Sequence, residues 1–97
     1  MQEETADRIT GTQLRAARAL LGWSQQELAD RAETSVPTVK RAEAQGNDPG
    51  GSARTNAKLR AAVEAGGVVF IGSDADGGRG VRLGVRDRTR RSARRKR

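Results

Sequence analysis

Hydrophobic positions recur at helical spacing in the first third of the chain. The apolar residues of this stretch are Leu14, Ala17, Leu20 and Leu21. Intervals of three and four residues predict an amphipathic helix over about residues 11–21. Thr10 and Gln13 form the T-x-x-Q pattern of a capping box before it, and Gly22 is placed to end it.

A second capping pattern follows almost at once. Ser24 and Glu27 form S-x-x-E, which predicts another short helix. Only residues 33 and 34 separate that helix from Ser35, the next candidate cap. Pro37 then falls in the first turn of a third helix, where its missing N–H group would have no intrahelical acceptor. The pattern predicts two short helices joined by a tight turn.

The second half of the chain changes from helical to strand-like periodicity. In "NAKLRAAVEAG" the apolar residues lie on one narrow face, which predicts a fourth helix. The face consists of Leu59, Ala62 and Val63. The run "VVFI", 68–71, is β-branched and aromatic, and "GVRLG", 80–84, alternates apolar and charged residues. We expect a β-hairpin that packs on the helices or pairs with another chain, because an isolated hairpin is marginally stable in water.

These elements predict a mainly α fold: a four-helix domain with a C-terminal two-stranded hairpin. A chain of 97 residues supports one hydrophobic core. We therefore expect a polar N-terminal segment over 1–8, one domain over 9–84 with the hairpin at 68–84, and a basic, flexible tail over 85–97.

The amino-acid composition excludes most kinds of catalytic and metal-binding site. The chain has no cysteine and no histidine, so disulfides, Cys/His metal sites and imidazole bases are absent, and we expect neither an enzyme nor a bound metal or cofactor. Trp23 and Phe70 are its two aromatic residues, too few for a single-strand stacking platform. Asp74 and Asp76 suggest either a divalent-cation loop or a hairpin turn. The turn is favoured because the other ligands of a calcium loop are missing.

The positive charge is concentrated at the C-terminus. Residues 86–97 carry eight basic side chains and one acidic one, which leaves 11 basic and 11 acidic side chains for residues 1–85. The basic residues are Arg86, Arg88, Arg90, Arg91, Arg94, Arg95, Lys96 and Arg97. Such a block either keeps the protein soluble or adds nonspecific, salt-sensitive affinity for nucleic acid. We favour contact with DNA.

One segment resembles a known family. "LRAARALLGWSQQELADRAETSVPTVKRAE", 14–43, combines W-S-Q-x-E-L-A, S-x-x-T-V and a closing Glu at fixed spacing. It is similar to the phage-repressor/Cro-like helix-turn-helix family, often called XRE. The continuation to residue 84 resembles a bacterial subgroup that adds a C-terminal β-hairpin. The resemblance implies a repressor-like DNA-binding fold, whose second motif helix, here 35–44, enters the major groove.

The resemblance also implies which side chains meet DNA. The family's base-facing positions fall on Val36, Pro37, Lys40 and Arg41. Its phosphate-binding glutamine falls on Gln25. The hydroxyls of Ser35 and Thr38 are further candidates for phosphate contact, although Ser35 is also a cap. Arg41 is the strongest candidate base reader, because its planar fork matches guanine O6 and N7. Lys40 would meet guanine or phosphate.

The resemblance also implies a structural ion pair, and this sequence differs from the family at two places. Arg18 and Glu43 match a family pair that bridges the first helix to the end of the third. The family has Gly-Val where this chain has Glu33-Thr34, so a left-handed Glu33 would be strained. It also has a larger apolar residue in place of Ala42, which leaves the core lighter.

The resulting hypothesis is a sequence-specific regulator of transcription. We expect a bacterial, cytoplasmic, nucleoid-associated repressor that binds an inverted repeat in double-stranded DNA as a homodimer, through the hairpin or the fourth helix. No apolar run approaches the roughly 20 residues of a membrane span. The alternative is a protein-interaction module, an antitoxin or antiactivator, in which the same fold binds a protein partner and DNA binding is secondary.

Overall fold

The computed structural model describes residues 8–49 and 51–84, and shows four helices followed by two strands. The elements are α1 (Gly11–Leu21), α2 (Gln25–Arg31), α3 (Val36–Glu43), α4 (Ala53–Ala65), β1 (Val68–Ile71) and β2 (Gly80–Leu83). The strands pair antiparallel, with Val68 opposite Leu83 and Ile71 opposite Gly80. The predicted fold class, mainly α with a C-terminal hairpin, is confirmed. Within the described ranges, no helix has the length and apolar character needed to cross a bilayer.

Both ends of α1 follow the predicted signals. The Thr10 hydroxyl accepts a hydrogen bond from the Gln13 N–H group at 3.0 Å, and Gln13 Oε1 accepts one from the Thr10 N–H group at 3.0 Å. The capping box is therefore complete. The N–H groups of Gly11 and Thr12 donate to backbone carbonyls in the loop after α3. Gly22 ends the helix with a left-handed φ of 71°.

The start of α2 differs from the prediction in one respect. The Ser24 hydroxyl accepts from the Glu27 N–H group at 3.0 Å, as an N-cap does. The Glu27 carboxylate, however, pairs with Arg31 at 2.6 Å instead of returning to Ser24. An i,i+4 ion pair competes for the same carboxylate. The predicted capping box is therefore only half formed.

The core lies between the helices and the inner face of the hairpin, and all four helices contribute to it. Its members are Ile9, Leu14, Ala17, Leu28, Ala29, Ala32, Val39, Ala42, Leu59, Ala62, Val63 and Val68. The predicted apolar face of α4 is buried as expected. Leu20 is instead 43% exposed, because it lies at the edge of the stripe that Leu14, Ala17 and Leu21 form along α1.

Two buried amide side chains join segments that are far apart in sequence. Gln13 Nε2 donates to the carbonyl oxygens of Ile71 at 3.3 Å and Gly80 at 3.0 Å. Asn56 on α4 accepts from the Ile9 N–H group at 3.1 Å and donates to the Ile9 carbonyl at 2.8 Å. The first amide fastens the loop end of the hairpin to α1, and the second fastens the segment before α1 to α4.

Replacing Asn56 by Ala should destabilise the fold. The change leaves the N–H and carbonyl groups of Ile9 without the partners they have here, at a cost of about 1 to 3 kcal/mol in the free energy of unfolding. Urea unfolding followed by circular dichroism measures it. Asn47→Ala, at an exposed position, is the matched control and should stay within about 0.5 kcal/mol of the parent protein. Equal effects of the two changes would contradict the structural role of Asn56.

Candidate nucleic-acid interface

The third helix begins at a cap made of hydroxyl groups. The Ser35 hydroxyl accepts from the Thr38 N–H group at 3.3 Å and lies 2.9 Å from the Thr38 hydroxyl. Pro37 occupies the first turn, where no intrahelical hydrogen bond is lost. The sequence SVPT therefore starts α3 by local chemistry alone, and both hydroxyls are already engaged within the chain.

One face of α3 is open to solvent. Pro37, Lys40 and Arg41 are exposed, whereas Val39 and Ala42 are buried. This division follows the helical period, since positions three apart lie on one side. The side chains brought together on the open face are therefore one proline ring and two cations.

Val36 differs from the expectation of a fully open base-facing position. Its side chain is half-buried and packs against the core. The reason is that Val36 lies three residues before the buried Val39, on the same side of the helix. Only part of its surface is available to a ligand.

The two cations of α3 have few partners within the described residues. The Arg41 guanidinium contacts the Thr38 hydroxyl at 3.5 Å, at the outer limit of a hydrogen bond. The Lys40 ammonium group makes no hydrogen bond or ion pair with residues 8–49 and 51–84. Both charges are consequently free to meet an external anion or hydrogen-bond acceptor.

A bidentate ion pair connects α1 to the end of α3. Arg18 Nε lies 2.8 Å from Glu43 Oε2, and Arg18 Nη2 lies 3.1 Å from Glu43 Oε1. Arg18 Nη1 also donates to the Trp23 carbonyl at 3.0 Å. Glu43 is 4% exposed and Arg18 is 22% exposed. The hydrogen bonds to Glu43 raise the pKa of the Arg18 guanidinium above its ordinary value, although burial acts in the opposite direction.

Gln25 joins the same network. Its Nε2 atom donates to Glu43 Oε1 at 3.1 Å, so one carboxylate holds side chains from both α1 and α2. An amide nitrogen carries two hydrogens, and this contact uses one of them. The sequence predicted Gln25 as a phosphate ligand but gave no sign of this internal hydrogen bond, which requires two helices to converge.

The turn between α2 and α3 contains a strained residue. Glu33 has a φ of 58°, and the described ranges contain no other non-glycine residue with a positive φ. A left-handed conformation costs an ordinary L-residue about 1 to 2 kcal/mol. Lys58, from α4, donates to the Glu33 carbonyl at 3.3 Å and so holds this turn from outside the motif. Sequence reasoning missed Lys58, because nothing in the local pattern of α4 points to a contact so distant in sequence.

The comparisons with known proteins agree with this geometry. Residues 14–52 match the helix-turn-helix family model HTH_3, a segment that covers most of α1 and all of α2 and α3. The chain contains an XRE-family helix-turn-helix domain. A comparison with curated proteins gave no match. The match supports the predicted function of a DNA-binding transcription regulator.

One glycine lets α1 approach the end of α3 closely in the helix-turn-helix domain. A Cβ atom on Gly11 would lie 2.5 Å from the Ala42 carbonyl oxygen and 2.7 Å from that of Glu43. These distances are shorter than a non-bonded contact allows. The start of α1 therefore touches the backbone at the end of α3, and Gly11 permits this approach.

The sequence predicted two further groups of candidate residues. The eight basic side chains of 86–97 fall beyond the described residues. The Asp74 carboxylate accepts from the N–H groups of Asp76 at 2.8 Å and Gly77 at 3.1 Å, which is the pattern of a hairpin turn. The described residues contain no cluster of acidic side chains able to hold a metal ion.

Replacing Glu43 by Gln should destabilise the domain by about 2 to 3 kcal/mol, because the partly buried Arg18 loses its counter-charge. Glu27→Gln is the matched control. It breaks the exposed pair with Arg31 and should cost no more than about 0.5 kcal/mol. Chemical denaturation of both variants measures the difference. Similar small losses in both would show that the Arg18–Glu43 pair does not hold the helices together.

Proposed function

We propose that this regulator reads a specific sequence in double-stranded DNA by inserting α3 into the major groove. The observation that carries the proposal is the open face of α3, on which Lys40 and Arg41 are exposed while the opposite side is buried in the core. A helix fixed by its buried side can present the same side chains to base edges at every encounter.

Arg41 is the proposed main base reader. Its guanidinium has one long contact, to the Thr38 hydroxyl, so its fork of donors is available to guanine O6 and N7. Lys40, one residue earlier, is proposed to meet a guanine or a phosphate. Pro37 and the exposed part of Val36 are proposed to make apolar contacts. The apolar group that a base edge presents in the major groove is the methyl group of thymine.

Gln25 is the proposed phosphate ligand, together with Ser35 and Thr38. The N–H of Gln25 that does not contact Glu43 can donate to a phosphate oxygen while the other keeps the amide in place. The hydroxyls of Ser35 and Thr38 share one hydrogen bond, in which only one of them donates, so the other keeps its hydrogen for a phosphate oxygen.

A homodimer on an inverted repeat would supply enough specificity. One recognition helix contacts only a few base pairs, whereas two helices about 34 Å apart read two half-sites on one side of the duplex. Occupancy of such a site near a promoter blocks transcription, so we propose repression. We also propose a cytoplasmic, nucleoid-associated location, and that the basic residues of 85–97 add nonspecific affinity to the domain at 9–84.

Replacing Arg41 by Ala tests base reading. A DNA site is first selected from random sequences and inspected for an inverted repeat. On that site the variant should bind about 10- to 100-fold more weakly, while its affinity for random DNA changes little. Fluorescence anisotropy at fixed salt measures both affinities. Arg15→Ala removes an equal charge from an exposed position on α1 and should leave the ratio of the two affinities unchanged.

The same measurement contains the outcome that opposes the proposal. An equal loss on every DNA sequence for Arg41→Ala would exclude specific reading by this residue. Failure to select any DNA sequence would favour the alternative, an interaction module that binds a protein.

Removing residues 86–97 should act in a different way from Arg41→Ala. The deletion takes away eight cations, so binding to the selected site and to random DNA should weaken to a similar degree. The plot of log affinity against log salt should become less steep, because fewer counterions are released. Titrations at several salt concentrations measure the slope. An unchanged slope would show that the tail does not contact phosphates.

A further inference from the structure

A cavity of about 410 Å³ opens between α1, the loop after α3 and the hairpin. Its volume lies within the range of small-molecule sites, which is about 300 to 1,000 Å³. Segments that are far apart in sequence supply its walls. They include Thr12, Gln13 and Ala16 from α1, Asn47 from the loop, and Arg79 and Val81 from the hairpin.

A buried hydroxyl at this cavity has no acceptor for its hydrogen. Thr10 lines the cavity and is 6% exposed. Its oxygen accepts from the Gln13 N–H group at 3.0 Å, but no residue of 8–49 or 51–84 accepts a hydrogen bond from the hydroxyl. Buried polar groups in folded proteins are almost always hydrogen-bonded. An oxygen atom of a ligand in the cavity would supply the missing acceptor.

The cavity also carries positive charge without a nearby counter-charge. Arg79 has no ion pair with another described residue, and no acidic side chain lines the cavity. Arg79 also lines a neighbouring cavity of about 50 Å³ together with Arg8 and Arg60. Arg60 pairs with Glu64 at 2.9 Å, whereas the buried Nε atom of Arg8 has no hydrogen-bond partner. Such a concentration of cations attracts an anionic ligand.

The cation and the buried hydroxyl belong to one neighbourhood. Arg79 Nη1 donates to the Arg8 carbonyl oxygen at 3.1 Å. Arg8 precedes Thr10 by two residues on the same segment. A guanidinium has five N–H donors, and this contact uses one of them. The remaining donors of Arg79 and the Thr10 hydroxyl can therefore serve the oxygen atoms of a single group.

We infer that the cavity binds a small molecule with an apolar body and one anionic group, a carboxylate or a phosphate. The body lies against Ala16 and Val81, and the anionic group accepts hydrogen bonds from Arg79 and Thr10. None of the lining residues belongs to α3. The site is therefore distinct from the proposed DNA-reading face, and the inference does not depend on that proposal.

The first test measures the binding of phenylacetate to the full chain without DNA. Phenylacetate joins an aromatic ring to one carboxylate, and phenylacetamide is its uncharged counterpart. In a titration followed by two-dimensional NMR, phenylacetate should shift the amide signals of Thr12, Asn47 and Gly78, with a dissociation constant on the order of 1 mM. Phenylacetamide should bind about tenfold more weakly, because it lacks the charge.

Phenyl phosphate distinguishes the two anionic groups. The anion that binds more tightly identifies the group that the site prefers, and preference for either over phenylacetamide supports the inference. Absence of shifts with both anions would overturn it. Equal binding of phenylacetate and phenylacetamide would also overturn it, since the charge would then have no part in recognition.

The second test removes the cation. Arg79→Gln should weaken the binding of phenylacetate about tenfold and leave that of phenylacetamide unchanged. Arg82→Gln is the matched control, because Arg82 is an exposed cation on β2 that lines neither cavity. It should keep the affinity of the parent protein. Equal losses in the two variants would show general attraction to a basic protein and would contradict a site at Arg79.

The third test fills the cavity. Ala16→Leu places a larger side chain in the space for the apolar body and should abolish binding of both phenylacetate and phenylacetamide. Ala19→Leu makes the same change at an exposed position of α1 outside the lining and should leave binding unchanged. Thermal melts check that both variants fold. Unchanged binding in a folded Ala16→Leu protein would place the ligand elsewhere and overturn the inference.

Discussion

The ion pair between Arg18 and Glu43 is the constraint on which the orientation of α3 depends. Glu43 is the last residue of α3, and its carboxylate receives hydrogen bonds from α1 through Arg18 and from α2 through Gln25. A buried carboxylate requires such partners, since an unpaired charge in the interior is very costly. The same requirement that satisfies Glu43 therefore fixes the angle at which α3 leaves the core. The net contribution to stability of such a pair is small compared with the geometry it imposes.

The rest of the domain depends on close backbone contacts between short helices. Gly11 lets the start of α1 touch the end of α3, and the small Ala42 is buried at that contact. Glu33 holds a left-handed conformation in the turn, which a glycine would adopt without strain. The Lys58 contact to the Glu33 carbonyl lies at this turn. Stability comes from a close fit of short helices, with few large side chains among the fully buried residues.

The basic residues proposed to contact DNA lie in two separate parts of the chain. Residues 1–85 carry equal numbers of acidic and basic side chains, so the attraction for DNA that we propose for the domain is local, at Lys40 and Arg41 on the open face of α3. The excess lies in residues 86–97. Local cations at base edges favour discrimination between sequences, whereas a run of cations favours affinity for any phosphate backbone. The proposed division of work between α3 and the tail follows from this distribution.

The sequence by itself determined the elements whose signals are local. The T-x-x-Q box at Thr10, the Ser24 and Ser35 caps and the left-handed Gly22 are all read within four residues, and each appears at the expected place. The β-branched and aromatic run 68–71 and the alternation in 80–84 likewise predicted the two strands. These signals work because capping and periodicity depend on neighbours along the chain.

Only the tertiary structure decided which side chains meet across the fold. The structure shows that Gln25 donates a hydrogen bond to Glu43 and that Val36 packs against the core. It also shows that Gln13 donates a hydrogen bond to the Gly80 carbonyl at the loop end of the hairpin. The Glu27 carboxylate pairs with Arg31 and does not accept a hydrogen bond from the Ser24 N–H group. Each outcome depends on distances between segments far apart in sequence or on competition between partners of similar energy. A local pattern contains neither, so these contacts follow from how the helices and the hairpin pack together.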